Sequence, residues 1–527
     1  MPNTLATPGV YINEVNAFPN SVVPVATAVP AFIGYTARAS YAGKSYTGVP
    51  VTLNTLQDYM TYFGVMNPTT LQPAADNLQY TPTYYTTASK VQNSTNTTAD
   101  IVIGGKYYDI EPDPNTVYYL YNSIKLFYDN GGGTCVVVSV GPYGPPSGKP
   151  NVKGTPLANP NVIGNDFLNV LQGVLMQEDA PTMIVIPDAT LLKPNDNLSV
   201  NQAILMHCST LKSRVGLLDV QGGNAPDPML WPNDIAAFRT AIGLNGLDYA
   251  ACYYPFLKTA ILEDSDINYN TLGGPKILSA VLPTAAVDPV KTLLSQMSLP
   301  PGGTNTPTPL QIENAMLIAS PTYGQIHDLV LAKMNILPPC GAMAGAYTLV
   351  DNEKGVWHAP ANISLSSVVD TTLKITDLTQ QNLNVDAATG KSINAIRLFP
   401  GKGVIVWGAR TLDGNSDDWR YISVRRTLVM LEQSMKLAAN DYVFEPNDAN
   451  TWSLITSMLN NFLTSLWTEG AIVGPTPAAA FQVMVGLGLT MTPEDILQGI
   501  MNISVKVAVS HPAEFIVITI QQEMQSA

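Results

Sequence analysis

Charge is scarce in this chain. Asp, Glu, Lys and Arg make up 13% of its 527 residues, about half the share usual for a soluble domain. Asn, Thr, Ser and Gln must supply most of the polar surface, and much of the rest must be covered by something. The charge that is present sums to -14, which argues against a nucleic-acid binder, because such a protein needs basic patches to displace counterions. Cysteine is equally thin. Cys135, Cys208, Cys252 and Cys340 lie far apart and form no CxxC pair, the pattern of reduced structural thiols in a cytosolic chain rather than of a disulfide framework or a zinc site. The first residues have neither a basic n-region nor an apolar h-region, so the sequence predicts no secretory leader. Long apolar runs are missing too. Gly470 to Thr492 is uncharged but is broken by Pro475, Pro477, Gln482 and its glycines, so it reads as a buried loop leading into a core strand and not as a membrane helix.

The signatures of catalysis are absent or incomplete. His207, His327, His358 and His511 are scattered, with no HExxH pair and no GxSxG elbow anywhere. Ala388-Thr-Gly-Lys-Ser392 imitates the end of a P-loop, but Val385 stands where the first glycine belongs, and a strand rather than a helix follows. It reads as a turn. Asn130-Gly-Gly-Gly133 precedes a strand with no helix N-terminus behind it, so it reads as a strained turn. Asp188 and Asp219 end two candidate parallel strands, where open α/β sheets place active sites. No partner for either is identifiable, and the simpler reading is that Asp188 starts a turn while Asp219 caps or solvates a loop. The sequence therefore predicts no catalytic residue, no metal site and no cofactor.

What the chain does have is pattern. Cys135-Val-Val-Val-Ser-Val140 is a continuous apolar run, the mark of a strand buried on both faces. Helical spacing follows over Asp166–Gln177, then a strand at Met183–Pro187, a helix over Gln202–Lys212, a strand at Val215–Asp219, a helix over Asp234–Ile242 and a strand at Tyr249–Tyr254. Strand and helix alternating in this way predict a largely parallel sheet flanked by helices. Ala31–Tyr35 reads as an inner strand. Near the C-terminus, Tyr421, Val424, Leu428, Leu431, Met435 and Ala438 form one apolar stripe of a long helix. A second helix sets Trp452, Ile455, Leu459, Phe462 and Leu466 against an uncharged face of Ser453, Thr456, Ser457, Asn460 and Thr464. Thr492-Pro-Glu-Asp495 predicts a capped short helix, and Ile503, Val505, Val507 and Val509 alternate as a half-exposed strand.

Both terminal segments are strand-like. After the Thr7-Pro8-Gly9 turn comes Val10-Tyr11-Ile12-Asn13-Glu14-Val15. The other end carries Glu514, Phe515, Ile516, Val517, Ile518 and Thr519, apolar on both sides of an extended segment. Such a segment must be covered by its own sheet or by a neighbour's. The strand Ile503–Val509 is the natural acceptor, with Thr7-Pro-Gly and Ser510-His-Pro as hinges.

The organisation expected is an N-terminal arm (1–20), an entry strand (21–40), an inserted β-rich outer domain (41–125), an α/β domain (126–261), a mixed extension (262–335), a C-terminal core domain (336–510) and a C-terminal arm (511–527).

The chain resembles the contractile tail sheath proteins of tailed phages and phage-tail-like contractile injection systems. Carrying the resemblance are Thr7-Pro-Gly-Val-Tyr-Ile-Asn-Glu-Val15, Val29-Pro-Ala-Phe-Ile-Gly34, Asn130-Gly-Gly-Gly-Thr-Cys-Val-Val-Val138 and Tyr249-Ala-Ala-Cys-Tyr-Tyr-Pro255. Gly355-Val-Trp-His-Ala-Pro-Ala-Asn362, Ile396-Arg-Leu-Phe-Pro-Gly-Lys-Gly-Val-Ile-Val-Trp-Gly-Ala-Arg-Thr411, Tyr421-Ile-Ser-Val-Arg-Arg-Thr427 and Pro512-Ala-Glu-Phe515 complete it. His358 departs from the Lys that the pattern favours. The resemblance implies a structural subunit that polymerises helically with copies of itself around an inner tube, with baseplate and tail-terminator or cap proteins as further partners, and with no nucleic acid or membrane insertion. It also implies assembly in the bacterial cytoplasm, then residence in a virion tail or phage-tail-like particle. Each subunit would donate its terminal strands to neighbours, and contraction would drive the tube into a target. The tube-facing surface should be small and polar, with Arg420, Arg425, Arg426 and Lys436 as its candidates. Two other readings stay open on the residues alone: an α/β hydrolase using Asp188, and another self-assembling shell or surface-layer protein.

Overall fold

The computed structural model describes residues 22–65, 82–93, 98–283, 288–299 and 307–515. These fall into two compact units, one of residues 26–426 with 512–515 and one of residues 22–25 with 427–511.

The larger unit is organised by an eight-stranded sheet. Its strands are β1 (Pro30–Thr36), β2 (Val51–Leu53), β3 (Cys135–Pro142), β4 (Met183–Val185), β5 (Val215–Asp219), β6 (Ala250–Tyr254), β7 (Asn394–Phe399) and β8 (Gly403–Val406), in the spatial order β8-β7-β6-β5-β4-β1-β3-β2. The six inner strands run parallel, while β2 and β8 are antiparallel edges. Every residue of β1, β4, β5 and β6 is buried. A strand covered on both faces has no reason to alternate polar with apolar, which is why these segments are continuous apolar runs in the sequence. The covering helices include α1 (Leu120–Asp129), α2 (Gly164–Gln172), α3 (Pro194–Leu211), α4 (Trp231–Ala241) and α5 (Cys340–Lys354). The expected fold, a mostly parallel sheet flanked by helices, is the one observed.

Helix α5 has no counterpart in the sequence pattern. Ten of its residues are buried, on all sides, so it has no amphipathic stripe to read. Gly341 and Gly345 let it lie directly on α1: a Cβ at Gly341 would stand 2.6 Å from the Ser123 carbonyl oxygen, and one at Gly345 would stand 2.4 Å from that of Phe127.

The stretch 41–125, expected as a separate insertion, is corrected by the topology. Its strand β2 pairs with β3 at the edge of the central sheet, and α1 packs against β1. Among the described residues, Tyr84–Ala88, Ile101–Ile103 and Lys106–Pro112 form a separate three-stranded sheet, and Ser40–Tyr41 pairs with Lys44–Ser45 in a two-stranded one. The Thr- and Tyr-rich composition that suggested an insertion runs through the whole stretch and hides the apolar pair Val51 and Leu53. The stretch 262–335 contains four helices, Gly274–Val281, Pro289–Met297, Pro309–Ala319 and Pro321–Met334, each with proline at its N-terminal turn.

The smaller unit contains residues Thr427 onward of α6 (Ile422–Asn440), together with α7 (Ala449–Glu469), β9 (Phe481–Val485) and β10 (Ile503–Val507). Strands β9 and β10 pair antiparallel, Phe481 opposite Val507 and Val485 opposite Ile503. Asp448 caps α7, and Thr492 with Asp495 forms the capping box foreseen for the short helix Pro493–Leu497.

Close packing at α5 makes a specific demand. Gly345→Ala is expected to destabilise the protein by about 1–3 kcal/mol through overpacking. Gly324→Ala, in the helix Pro321–Met334 with open space around it, is expected to stabilise by about 0.5–1 kcal/mol. Thermal melting of the two variants beside the parent checks both, and equal melting temperatures would contradict the packing argument.

Candidate assembly surfaces

Four places predicted to matter can be built up from their side chains. The two aspartates come first. A bulge in the β1–β3 register between Gly34 and Tyr35 coincides with a Tyr35 N–H that donates to Asp188 Oδ2 at 3.0 Å. Oδ1 of the same carboxylate accepts from Tyr119 N at 2.6 Å, at the start of α1. Gly34 makes room, since a Cβ there would meet Asp188 Oδ2 at 2.7 Å. Asp219, at the end of β5, accepts from Cys340 N at 2.9 Å and so caps α5. Helix N-termini are natural seats for carboxylates. Burial nonetheless pushes Asp188 up to about 6 and Asp219 up to about 7, against the hydrogen bonds each accepts. The space beside Asp219, lined by Thr190, Asn197 and Asn201, is about 10 Å³, room for about one water and no substrate. Where the sequence had Asp188 starting a turn and Asp219 capping or solvating a loop, both carboxylates accept from the N-termini of helices.

The arginines predicted to face a tube come next. Arg425 and Arg426 are buried, which corrects that expectation. Arg426 forks onto Asp351 of α5 at 2.8 and 2.5 Å and donates to the Thr27 carbonyl at 2.9 Å, while Thr27 Oγ1 donates to the same carboxylate at 2.6 Å. Its guanidinium lies over the Tyr347 ring. Arg425 pairs with Asp248 and stacks 3.5 Å from the Trp419 ring centroid. On a helix read only for its apolar stripe, these charges fall on the polar face expected against a tube; here the start of α6 is enclosed on every side, and its charges are met by aspartates from α5 and from the turn before β6. Arg420 is partly exposed and pairs with Asp417, and Lys436 is exposed.

The third place is the acceptor strand. Ile503, Val505 and Val507 of β10 are half-buried, and Val509 bridges to Ile472. Among the described residues β10 pairs only with β9, and β9 only with β10, which leaves the outer edge of each without a ladder partner among them. Beside it runs a groove of about 520 Å³, lined by Trp452, Ser453, Thr456, Ser457, Asn460 and Val485 among others. This is the uncharged face of α7 foreseen in the sequence.

The last is the C-terminal segment. Val10, Tyr11, Ile12, Glu14 and Val15, and Ile516, Val517, Ile518 and Thr519, lie outside the described residues. Phe515 is exposed. Glu514, grouped with the donated strand, is instead held within its own chain. Oε1 accepts from Arg410 Nε at 3.0 Å and Asn384 Nδ2 at 2.7 Å, and Oε2 from Arg410 Nη2 at 2.6 Å and Tyr421 OH at 3.1 Å. Sequence reading missed the partner, because nothing local links Arg410 with a residue 104 positions away.

Removing one member of a buried pair tests these placements. Arg426→Ala leaves Asp351 buried without its counterion and is expected to cost about 3–5 kcal/mol. Lys436→Ala should stay within about 0.5 kcal/mol of the parent; similar melting curves for the two would return Arg426 to the surface. For Asp219, the folded value stands above the ordinary 3.8. Its contribution to stability is therefore complete below about pH 4 and is lost as pH rises to about 7. Asp219→Asn is expected to flatten that fall in melting temperature, and an unchanged slope would remove Asp219 as its source.

Residues 415–523 match the family described as the phage tail sheath C-terminal domain. The tail sheath protein of Vibrio phage KVP40 is 24% identical over 163 residues, 31% of this chain and 24% of that protein. The chain thus covers about a quarter of the length of the curated relatives it matches. Among solved structures, the sheath complex of an extracellular contractile injection system, PVC, in its contracted state superposes with a TM-score of 0.59 at 24% identity, over 99% of this chain and 98% of that one. A chain of the anti-feeding prophage baseplate gives 0.57 at 24% identity, over 99% and 100%. The larger part of the chain therefore has the fold of contractile sheath proteins, and residues 415–523 resemble in sequence the C-terminal domain of phage tail sheaths.

Proposed function

We propose that this protein is the structural subunit of a contractile sheath, polymerising helically with copies of itself around an inner tube and contracting to drive that tube through a target envelope. The observation that carries the reading is the hairpin β9–β10, which lies inside the stretch matching the sheath C-terminal domain. A two-stranded sheet is marginal in water, and strands added at its open edges would complete it by main-chain hydrogen bonding.

The donors in this proposal are Val10, Tyr11, Ile12, Glu14 and Val15 at one end and Phe515, Ile516, Val517, Ile518 and Thr519 at the other. The acceptor is Ile503, Val505, Val507 and Val509. Each apolar side chain covered in this way contributes about 1.5–3 kcal/mol before ordering costs, and repetition on every subunit multiplies the effect along the wall. Arg420, Lys436 and the uncharged face of α7 are the proposed tube-side surface. Baseplate and tail-terminator or cap proteins bound the polymer. Assembly takes place in the bacterial cytoplasm, and the product is a virion tail or phage-tail-like particle. No cofactor or catalytic step enters the mechanism; the work comes from the lower free energy of the contracted lattice.

Negative-stain electron microscopy of the purified full chain is expected to show hollow tubes, and deletion of residues 1–16 is expected to leave a folded protein that forms none. Tubes of normal length from that truncation would sink the donated-arm mechanism. Flat sheets or closed shells from the full chain would point to a different self-assembling protein.

A further inference from the structure

Residues 512–515, the last of the described chain, are held to the α/β unit through Glu514. Of residues 511–515, only Pro512 and Glu514 turn inward; His511, Ala513 and Phe515 are exposed. Among the described residues no backbone–backbone hydrogen bond engages 512–515. The attachment rests on one carboxylate.

Its seat is assembled without it. Asn394 of β7 accepts from Arg410 N at 2.8 Å and donates to the Arg410 carbonyl at 2.8 Å, which fixes the residue's main chain. Nη1 of Arg410 donates to the carbonyls of Gly414 at 2.9 Å and Asn384 at 3.3 Å. That leaves Nε and Nη2 aimed together, the fork that suits a carboxylate. Asn384 Nδ2 and Tyr421 OH supply the remaining donors. The Arg410 side chain is 4% exposed and that of Glu514 20%, so the seat is sealed below and open above, where the chain enters. Burial alone would raise Glu514, but the hydrogen bonds from Arg410 and Asn384 draw it below its ordinary value and keep it ionised.

We propose that Arg410 is the positioning residue of the C-terminal segment: its fork clasps Glu514, so that the chain beyond Phe515 leaves from a fixed point of the α/β unit, and assembly depends on that fixed departure. The inference rests on the sheath reading, to which it adds the device that aims the arm. A clasped root has already given up its orientational freedom, so a strand starting from it reaches a neighbour with less entropy left to lose.

The four native cysteines are buried and Ala513 is exposed, so Ala513→Cys in the full chain takes a nitroxide label at one place. The label's mobility is measured in this protein, in the same protein with Glu514→Ala, and with Arg410→Lys, which keeps the charge but loses the fork. Glu514→Ala leaves the carbonyl bonds of Arg410 in place but removes its counterion and is expected to lower the melting temperature, so mobility is compared at a temperature where all three proteins are folded by circular dichroism. The expected result is a label at least threefold more mobile in Glu514→Ala and intermediate in Arg410→Lys, with tube formation reduced at least tenfold in Glu514→Ala. Equal mobility in all three would overturn the clasp. A freed label with undiminished tubes would overturn its role in assembly. If the parent forms no tubes at all, the sheath reading fails while the mobility comparison still decides the clasp.

Discussion

An ion taken out of water must be met by another ion or by fixed dipoles, and the α/β unit is arranged around that requirement. Five of the eight arginines are buried. Arg214 reaches the carbonyls of Leu175 and Glu178, and Arg239 those of Lys391, Asn382 and Leu383. These are carbonyls at helix ends and loops that no ladder serves, and a guanidinium with five donors satisfies several at once. Arg426 joins α5, the start of α6 and the strand entering β1 through one aspartate. The scarce charge of this sequence is therefore not merely a thin surface coat. Most of its arginines are internal fastening, and the low total leaves an outer surface rich in amides, hydroxyls and apolar groups.

The same requirement is met at the place where ligands of such folds bind. Open parallel sheets bind ligands in the crevice outside the carboxyl ends of their strands, where the strand order reverses. Here β1 leads to β3 on one side, and β3 leads back to β4 on the other. Asp188 bonds to Tyr35 and Tyr119 across that switch point, and Asp219 is spent on α5.

How much of this was legible depended on whether the signal was local. The central strands could be read because burial on both faces forces continuous apolar runs, as in Val136–Val138 and Val215–Leu218. The caps at Thr492 and the P-loop imitation could be read from three or four adjacent residues; Lys391 in that imitation donates to the Arg239 carbonyl. Helix α5 could not, since Gly341 and Gly345 look like helix breakers until α1 is seen pressing against them. Arg425 and Arg426 were misplaced because a charge on an amphipathic helix is ordinarily solvated, and only Asp248 and Asp351, both distant in sequence, reverse that. The partnership of Arg410 and Glu514 is long-range in the same way. The uncharged face of α7 was plain in the sequence, but the groove it lines was not.

That face bears on the conditions under which the protein must work. Across the 21 residues of α7 only Glu469, at the last position, is charged. A contact made by such a surface is formed from hydrogen bonds, shape and dispersion, and it offers the Debye atmosphere almost nothing to screen. Passing from a crowded cell interior to dilute fresh water or to brine would change its strength little. For the sheath proposed above, assembled in one medium and used in another, that indifference would be supplied by the serines, threonines and asparagines of α7.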